Sequence, residues 1–148
     1  MNLEEKVMAA LKDAMKAKDA VALDSIRAIK SAILLAKTDG SGKPIDEAKE
    51  IQILQKLVKS RRESLEIYEK QGRNDLAATE KNQIAVIEKF LPAQLSPEEV
   101  EAIIKNVLTE VGATSPKDMG KVMAAANQKL AGKADGRMIS EIVKKLLN

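Results

Sequence analysis

Cysteine, histidine and tryptophan are absent from this 148-residue sequence, and tyrosine and phenylalanine occur once each. Without cysteine there can be no disulfide, no thiolate nucleophile and no zinc–sulfur site. Without histidine there is no imidazole acid or base and no Ser–His pair. An enzyme built on this chain would have to work with Lys, Asp, Glu, Ser or Tyr. No catalytic residue, metal site or cofactor is therefore expected. The shortage of aromatics leaves Ala, Ile, Leu, Val and Met to fill the interior, which favours closely packed helices over a β-sandwich. No apolar run approaches the roughly 18 residues of a membrane span. The first stretch, MNLEEKVMAALKDAMKAKD, carries Glu4, Glu5 and Asp13, against the pattern of a secretory or transit peptide. A cytoplasmic chain making no membrane contact is the expectation.

What is present is an ordinary soluble balance. Apolar residues make up 45% and charged residues 32%, with a net charge of +3 that permits an anionic partner without requiring one. The length suits one domain, or one domain and a small appendage.

The punctuation is helical throughout. Asn2 with Glu5 reads as a capping box ahead of Leu3, Val7, Met8, Leu11 and Met15. Asp19 caps a second helix with Leu23, Ile26, Ile29, Ile33 and Leu34 at apolar positions, and Asp39 to Pro44 is a loop. A third helix is expected from Asp46 to Gly72, and a fourth from an Asn74 cap to Pro92. Ser96-Pro97-Glu98-Glu99 is a strong helix start, closed by Gly112. Ser115-Pro116-Lys117-Asp118 repeats that start for a helix running to Gly132, and Asp135 caps the last one. No alternating run argues for a strand. The expected fold is all-α: an N-terminal four-helix domain over residues 1–92, a hinge near Leu91 to Leu95, and a small C-terminal three-helix bundle over residues 93–148.

Two basic clusters bear on function. The run KLVKSRRESLEIYEKQGR, Lys56 to Arg73, holds acids four residues from several of its cations. Each such pair contributes about 0.2–0.5 kcal/mol, so most of this charge reads as a solvated face. Arg61 is the exception, because it falls inside the apolar stripe of Leu54, Leu57, Leu65 and Tyr68. A guanidinium there needs a partner. Either it forms an internal ion pair, with Glu50 or Glu80, or it lines a cleft for an anion. The second cluster is Lys117, Lys121, Lys129, Lys133, Arg137, Lys144 and Lys145, which outnumber Asp118, Asp135 and Glu141. Several flank helix starts, where backbone N–H groups favour anions. Phosphate and shape recognition of folded RNA suits that composition, since aromatics for base stacking are missing. A merely solubilising surface is the alternative. Gly120, early in a helix, would permit close approach by another helix or by a ligand backbone.

Several short motifs carry a family resemblance. They are Arg27-x-x-Lys30-Ser31-Ala32, Lys59-Ser60-Arg61-x-x-Ser64, Arg73-x-Asp75-Leu76 with Glu80, and Phe90-Leu91-Pro92. Asp118-Met119-Gly120-Lys121-Val122-Met123 and Gly132-Lys133-Ala134-Asp135-Gly136 complete the set. In order and spacing the chain resembles the YqeY family, proteins similar to the C-terminal helical and tail region of the B subunit (GatB) of tRNA-dependent amidotransferases. The resemblance implies a helical domain followed by a three-helix tail. In the amidotransferases that tail helps hold tRNA, while glutamine hydrolysis and amide transfer take place in parts this chain lacks. It departs from the tail of GatB by a longer segment from Ala124 to Ala131.

Three functions follow as expectations. The first is a non-catalytic module binding tRNA or another structured RNA through Lys117, Lys121, Lys129, Lys133 and Arg137. The second is an accessory protein docking on an amidotransferase or other tRNA-handling enzyme by apolar helix faces. The third is carbon–nitrogen ligation with glutamine as amide donor, disfavoured by the missing nucleophile and the missing nucleotide loop.

Overall fold

The computed structural model describes residues 1–148, which form seven α-helices and no strand. They are α1 (Leu3–Ala17), α2 (Ala20–Lys37), α3 (Glu47–Lys70), α4 (Asn74–Glu88), α5 (Pro97–Val111), α6 (Met119–Lys129) and α7 (Gly136–Leu147). The chain divides into two compact units, Met1–Pro92 and Ala93–Asn148.

In the first unit the caps arise where short polar side chains precede apolar periodicity. Asn2, Asp19 and Asp46 each accept a backbone N–H three residues on, from Glu5, Ala22 and Lys49. Helix α1 stops at Lys18, a non-glycine residue in the left-handed region (φ 54°), whose N–H reaches the carbonyls of Ala14 and Met15. Helix α3 stops as expected before Gly72, which supplies the positive φ. The start of α4 differs from expectation. Arg73, not Asn74, occupies the cap position and gives no side-chain cap, while Asn74 is already helical. Asp75 serves the first turn instead. The Arg73 guanidinium, followed by the Leu76 N–H, holds its carboxyl below the usual aspartate range. At the other end α4 closes at Glu88, and tighter i→i+3 bonds from Lys89, Phe90 and Leu91 carry the chain to Pro92.

The interior of this unit is aliphatic. Val7 from α1, Ile29 from α2, Leu54 from α3 and Ile87 from α4 are fully buried at its centre. Ser25 is also fully buried, satisfied by donating its hydroxyl to the Val21 carbonyl one turn back.

The second unit has a separate core of Val100, Ile104 and Val107 from α5, Val122 and Ala126 from α6, Leu130, and Ile139, Val143 and Leu147 from α7. Helix α5 opens on a full capping box: Ser96 Oγ accepts the Glu99 N–H, and the Glu99 carboxylate accepts the Ser96 N–H. The second Ser-Pro start behaves differently. Pro116–Asp118 form a 3-10 turn, and α6 begins only at Met119. The entering segment is tied to the α6–α7 loop, with the Leu95 N–H donating to the Lys133 carbonyl and Gln94 Nε2 to that of Gly132.

Candidate nucleic-acid interface

Five cations of the second unit, Lys117, Lys121, Lys129, Lys133 and Arg137, are the residues the sequence singles out, and all are exposed. Their surroundings separate them. Lys129, from the end of α6, grips both carboxylate oxygens of Glu110 at 2.7 and 2.8 Å. Lys121 reaches the same end of α5, its ammonium 3.4 Å from the Val111 carbonyl. An ammonium there satisfies a carbonyl the helix leaves open and complements the negative end of the α5 dipole. Arg137 pairs with Glu141 along its own helix at 3.3 Å. Lys145 lies 3.6 Å from Glu101. Lys117 and Lys133 have no carboxylate within ion-pair distance, and neither does Lys144, which the five-residue set omits.

The helix starts are also occupied. At α6 the Asp118 carboxylate accepts the N–H groups of Thr114 (3.0 Å) and Ser115 (3.4 Å). The Thr114 bond first, then that from Ser115 with the field of Lys121, holds the Asp118 carboxyl below the usual range. At α7 the Asp135 carboxylate accepts the Arg137 N–H. Each start thus carries its own anion, so any phosphate contact falls to the lysine side chains rather than to helix N-termini. Gly120 touches neither another helix nor a loop, since a Cβ built there meets nothing within 4 Å. Of the two readings of this glycine, helix packing is ruled out by that open space. The approach of an external backbone is left.

In the first unit Arg61 sits half-buried and takes neutral partners. Its Nε donates to Gln83 Oε1 at 3.0 Å and Nη1 to the Leu57 carbonyl at 3.2 Å. The expected ion pair with Glu80 is not the arrangement found. Gln83, three residues further along α4 and so on the same face, takes the guanidinium. Glu50 is committed elsewhere, accepting the Leu3 N–H at 2.7 Å, and so places a negative charge at the start of α1. The long-range ion pair across α3 and α4 belongs to the neighbouring Arg62, with Glu88. Lys81 with Glu69 adds a second between the same helices, and Glu66 with Lys70 pairs along α3 itself. These contacts tie α3 to α4 and use up much of the basic run's charge. Nowhere do three acidic side chains converge in a geometry for a metal ion. No helix is long and apolar enough to cross a membrane.

Comparison with known proteins fits these two helical units. The chain is 36% identical over 109 residues to Altered inheritance of mitochondria protein 41, mitochondrial, of Lachancea thermotolerans, an overlap of 72% of this chain and 58% of the relative. The protein of the same name from Pyrenophora tritici-repentis is 27% identical over 147 residues, covering 96% of this chain and 79% of the relative. The chain thus spans less than two thirds of the length of the first of these. A shorter stretch of 61 residues is 43% identical to part of a Glutamyl-tRNA(Gln) amidotransferase from Aeropyrum pernix, in its E-type polypeptide, and covers 38% of this chain and 10% of that one. The Yqey-like protein family matches residues 4–147, and the chain belongs to that family.

Proposed function

We propose that this protein is a non-catalytic RNA-binding module of the YqeY type, holding tRNA or a similarly folded RNA by its phosphates. The observation that carries the reading is the set of exposed lysines in the second unit that no carboxylate neutralises, Lys117, Lys133 and Lys144. Similarity to a stretch of a tRNA amidotransferase supports the choice of RNA class. The open space above Gly120, beside Lys117, suits a sugar–phosphate backbone. Lys121, Lys129 and Arg137 would contribute less, because each already has a partner within the chain. A cytoplasmic site of action goes with this reading.

Titration of fluorescent tRNA with the full chain at about 50 and about 200 mM salt tests it. Affinity is expected to fall steeply with salt, and Lys117→Glu/Lys133→Glu to lower it about tenfold or more at the lower salt. Gly120→Ala should stabilise α6 by roughly 0.5–1 kcal/mol, as Gly→Ala does in an open helix position, while weakening RNA binding. Absence of binding at low salt, or binding indifferent to salt, would overturn the reading.

Docking on an amidotransferase or another tRNA-handling enzyme is a second reading. It is favoured by a separate observation, the large apolar side chains exposed on the first unit, Met8, Met15, Leu34, Leu35 and Ile67.

A further inference from the structure

Helices α1 and α2 enclose a cavity of about 210 Å³ lined by Glu4, Val7, Met8, Ile33, Leu34 and two lysines of α2, Lys30 and Lys37. Its floor is apolar and buried, with Val7 and Ile33 belonging to the core. Its lips are apolar and open: Met8 is 41% and Leu34 62% exposed. Met15 lies seven residues beyond Met8, on the same face of α1, and is 58% exposed. Methionines in such a row adapt to differently shaped apolar partners.

The charge around the opening is lopsided. Lys37 is engaged by Glu4 at 2.6 Å, which uses the one carboxylate lining the cavity. Lys30 and, one turn earlier on α2, Arg27 are exposed and have no ion-pair partner. Asp24 is the one acid on the exposed side of that end of α2. The groove therefore offers an apolar slot for one large side chain, with cations beside it that its own chain leaves unpaired.

We infer that this groove receives an amphipathic helix of a partner protein, one that inserts a leucine-sized ridge between α1 and α2 and sets Asp or Glu against Arg27 and Lys30. Three observations choose this occupant. An apolar slot with open Met and Leu lips rewards burial of aliphatic area, which a nucleic-acid backbone does not bring. A second copy docking the same groove on itself would place Arg27 and Lys30 against their own equivalents, and like charges across an interface count against it. Two helices side by side present the groove into which a third helix seats, with anchors three, four and seven residues apart. The inference rests on the docking reading and is independent of RNA binding, which concerns the other unit.

The test uses the full chain and a pair of fluorescent, hydrocarbon-stapled helical peptides of about three heptads, leucine at the a and d positions. One carries glutamate beside the leucines and the other lysine. Anisotropy should show the glutamate peptide binding at least about tenfold more tightly than the lysine peptide, and the preference should shrink as salt rises. Leu34→Glu, at a site that is largely solvent already, should abolish binding without changing the circular dichroism or the melting temperature. Arg27→Glu/Lys30→Glu should invert the preference between the peptides.

Equal binding of both peptides, or glutamate-peptide binding unchanged by Leu34→Glu, overturns the inference. So does a concentration-dependent dimer that Leu34→Glu dissolves, which would assign the groove to a second copy. A loss of tRNA affinity in Arg27→Glu/Lys30→Glu without any peptide binding would assign it to RNA. An amidotransferase that bound the Leu34→Glu chain as well as the original would keep the docking reading while removing this groove from it.

Discussion

The two units treat their apolar side chains in opposite ways. Every large apolar residue that stands open to solvent, Met1, Met8, Met15, Leu34, Leu35 and Ile67, belongs to the first unit. The second unit is smaller, and small units have the less favourable ratio of interior to surface. Size alone would thus put the exposed residues there. It avoids them because α7 sorts its residues strictly, with Ile139, Val143 and Leu147 buried and Met138, Ile142 and Leu146 half-covered against the same core. Helix α2 is apolar over a wider arc than its neighbours cover, so Leu34 and Leu35 remain outside while Ile29 and Ile33 are inside. Exposure in the first unit is therefore a property of its sequence and not a necessity of its size. A surface of that kind is suited to proteins, whereas the second unit offers outside partners mainly charge.

That contrast breaks most sharply if the units are not energetically separate. Ile104 is completely buried at the centre of the second core. Replacing it with alanine leaves a cavity and should cost about 2–5 kcal/mol. A unit this small has little stability to lose, so the variant should unfold from α5 to α7 while α1 to α4 persist. Hydrogen exchange read helix by helix decides it. Protection should collapse in the second unit alone. Collapse in both units at once would mean that they share one cooperative transition, and the comparison would lose its basis.

A smaller effect tests how the first unit holds its ends. Glu50 accepts the Leu3 N–H, so α1 begins against a carboxylate that α3 supplies. Glu50→Ala removes one cap interaction and should destabilise the chain by about 1 kcal/mol, within the ordinary range for lost caps. Urea unfolding followed by circular dichroism would measure it, and Glu50→Gln should recover part of the loss by keeping an acceptor. A neutral result for Glu50→Ala would mean that Asn2, which accepts the Glu5 N–H, caps α1 sufficiently alone.

Much of this architecture was legible in the residues because capping is local. Asn2, Asp19, Asp46, Ser96 and Asp135 each act within three positions, and each caps the helix it was expected to cap. The misreadings come where chemistry depends on another helix. A cation at Arg61 was foreseen to need a partner, but its choice of Gln83 over Glu80 depends on how α4 sits against α3. Lys121 and Lys129 look like surface charge in one dimension. The end of α5 converts them into helix-terminal contacts, and no spacing within α6 announces that. The α1–α2 groove did leave a trace, since Met1, Met8 and Met15 recur every seven residues. Placed on a helix with a buried Leu3 and Val7, that period reads as core until the neighbouring surface is known.

The mildest test concerns the one functional-site carboxylate whose protonation the fold shifts. Asp118 accepts from Thr114 and Ser115, and those bonds with the field of Lys121 lower its pKa in the folded chain. A group depressed in this way contributes stability that is fully present above the unfolded pKa of about 3.9 and is lost as the pH falls through the lower folded value. Neutral solutions should therefore show no pH dependence from this source. The unfolding midpoint of the original chain should decline relative to Asp118→Asn only on acidification below that range. Because the carboxylate is solvent-exposed, the difference should be small and should shrink further with salt. The same substitution removes the negative charge from the start of α6, beside Lys117 and Lys121. Around pH 7 Asp118→Asn should then bind tRNA slightly more tightly if those lysines meet phosphate. An unchanged RNA affinity with an altered acid profile would confine Asp118 to the stability of the turn and move the RNA contacts toward Lys133 and Lys144.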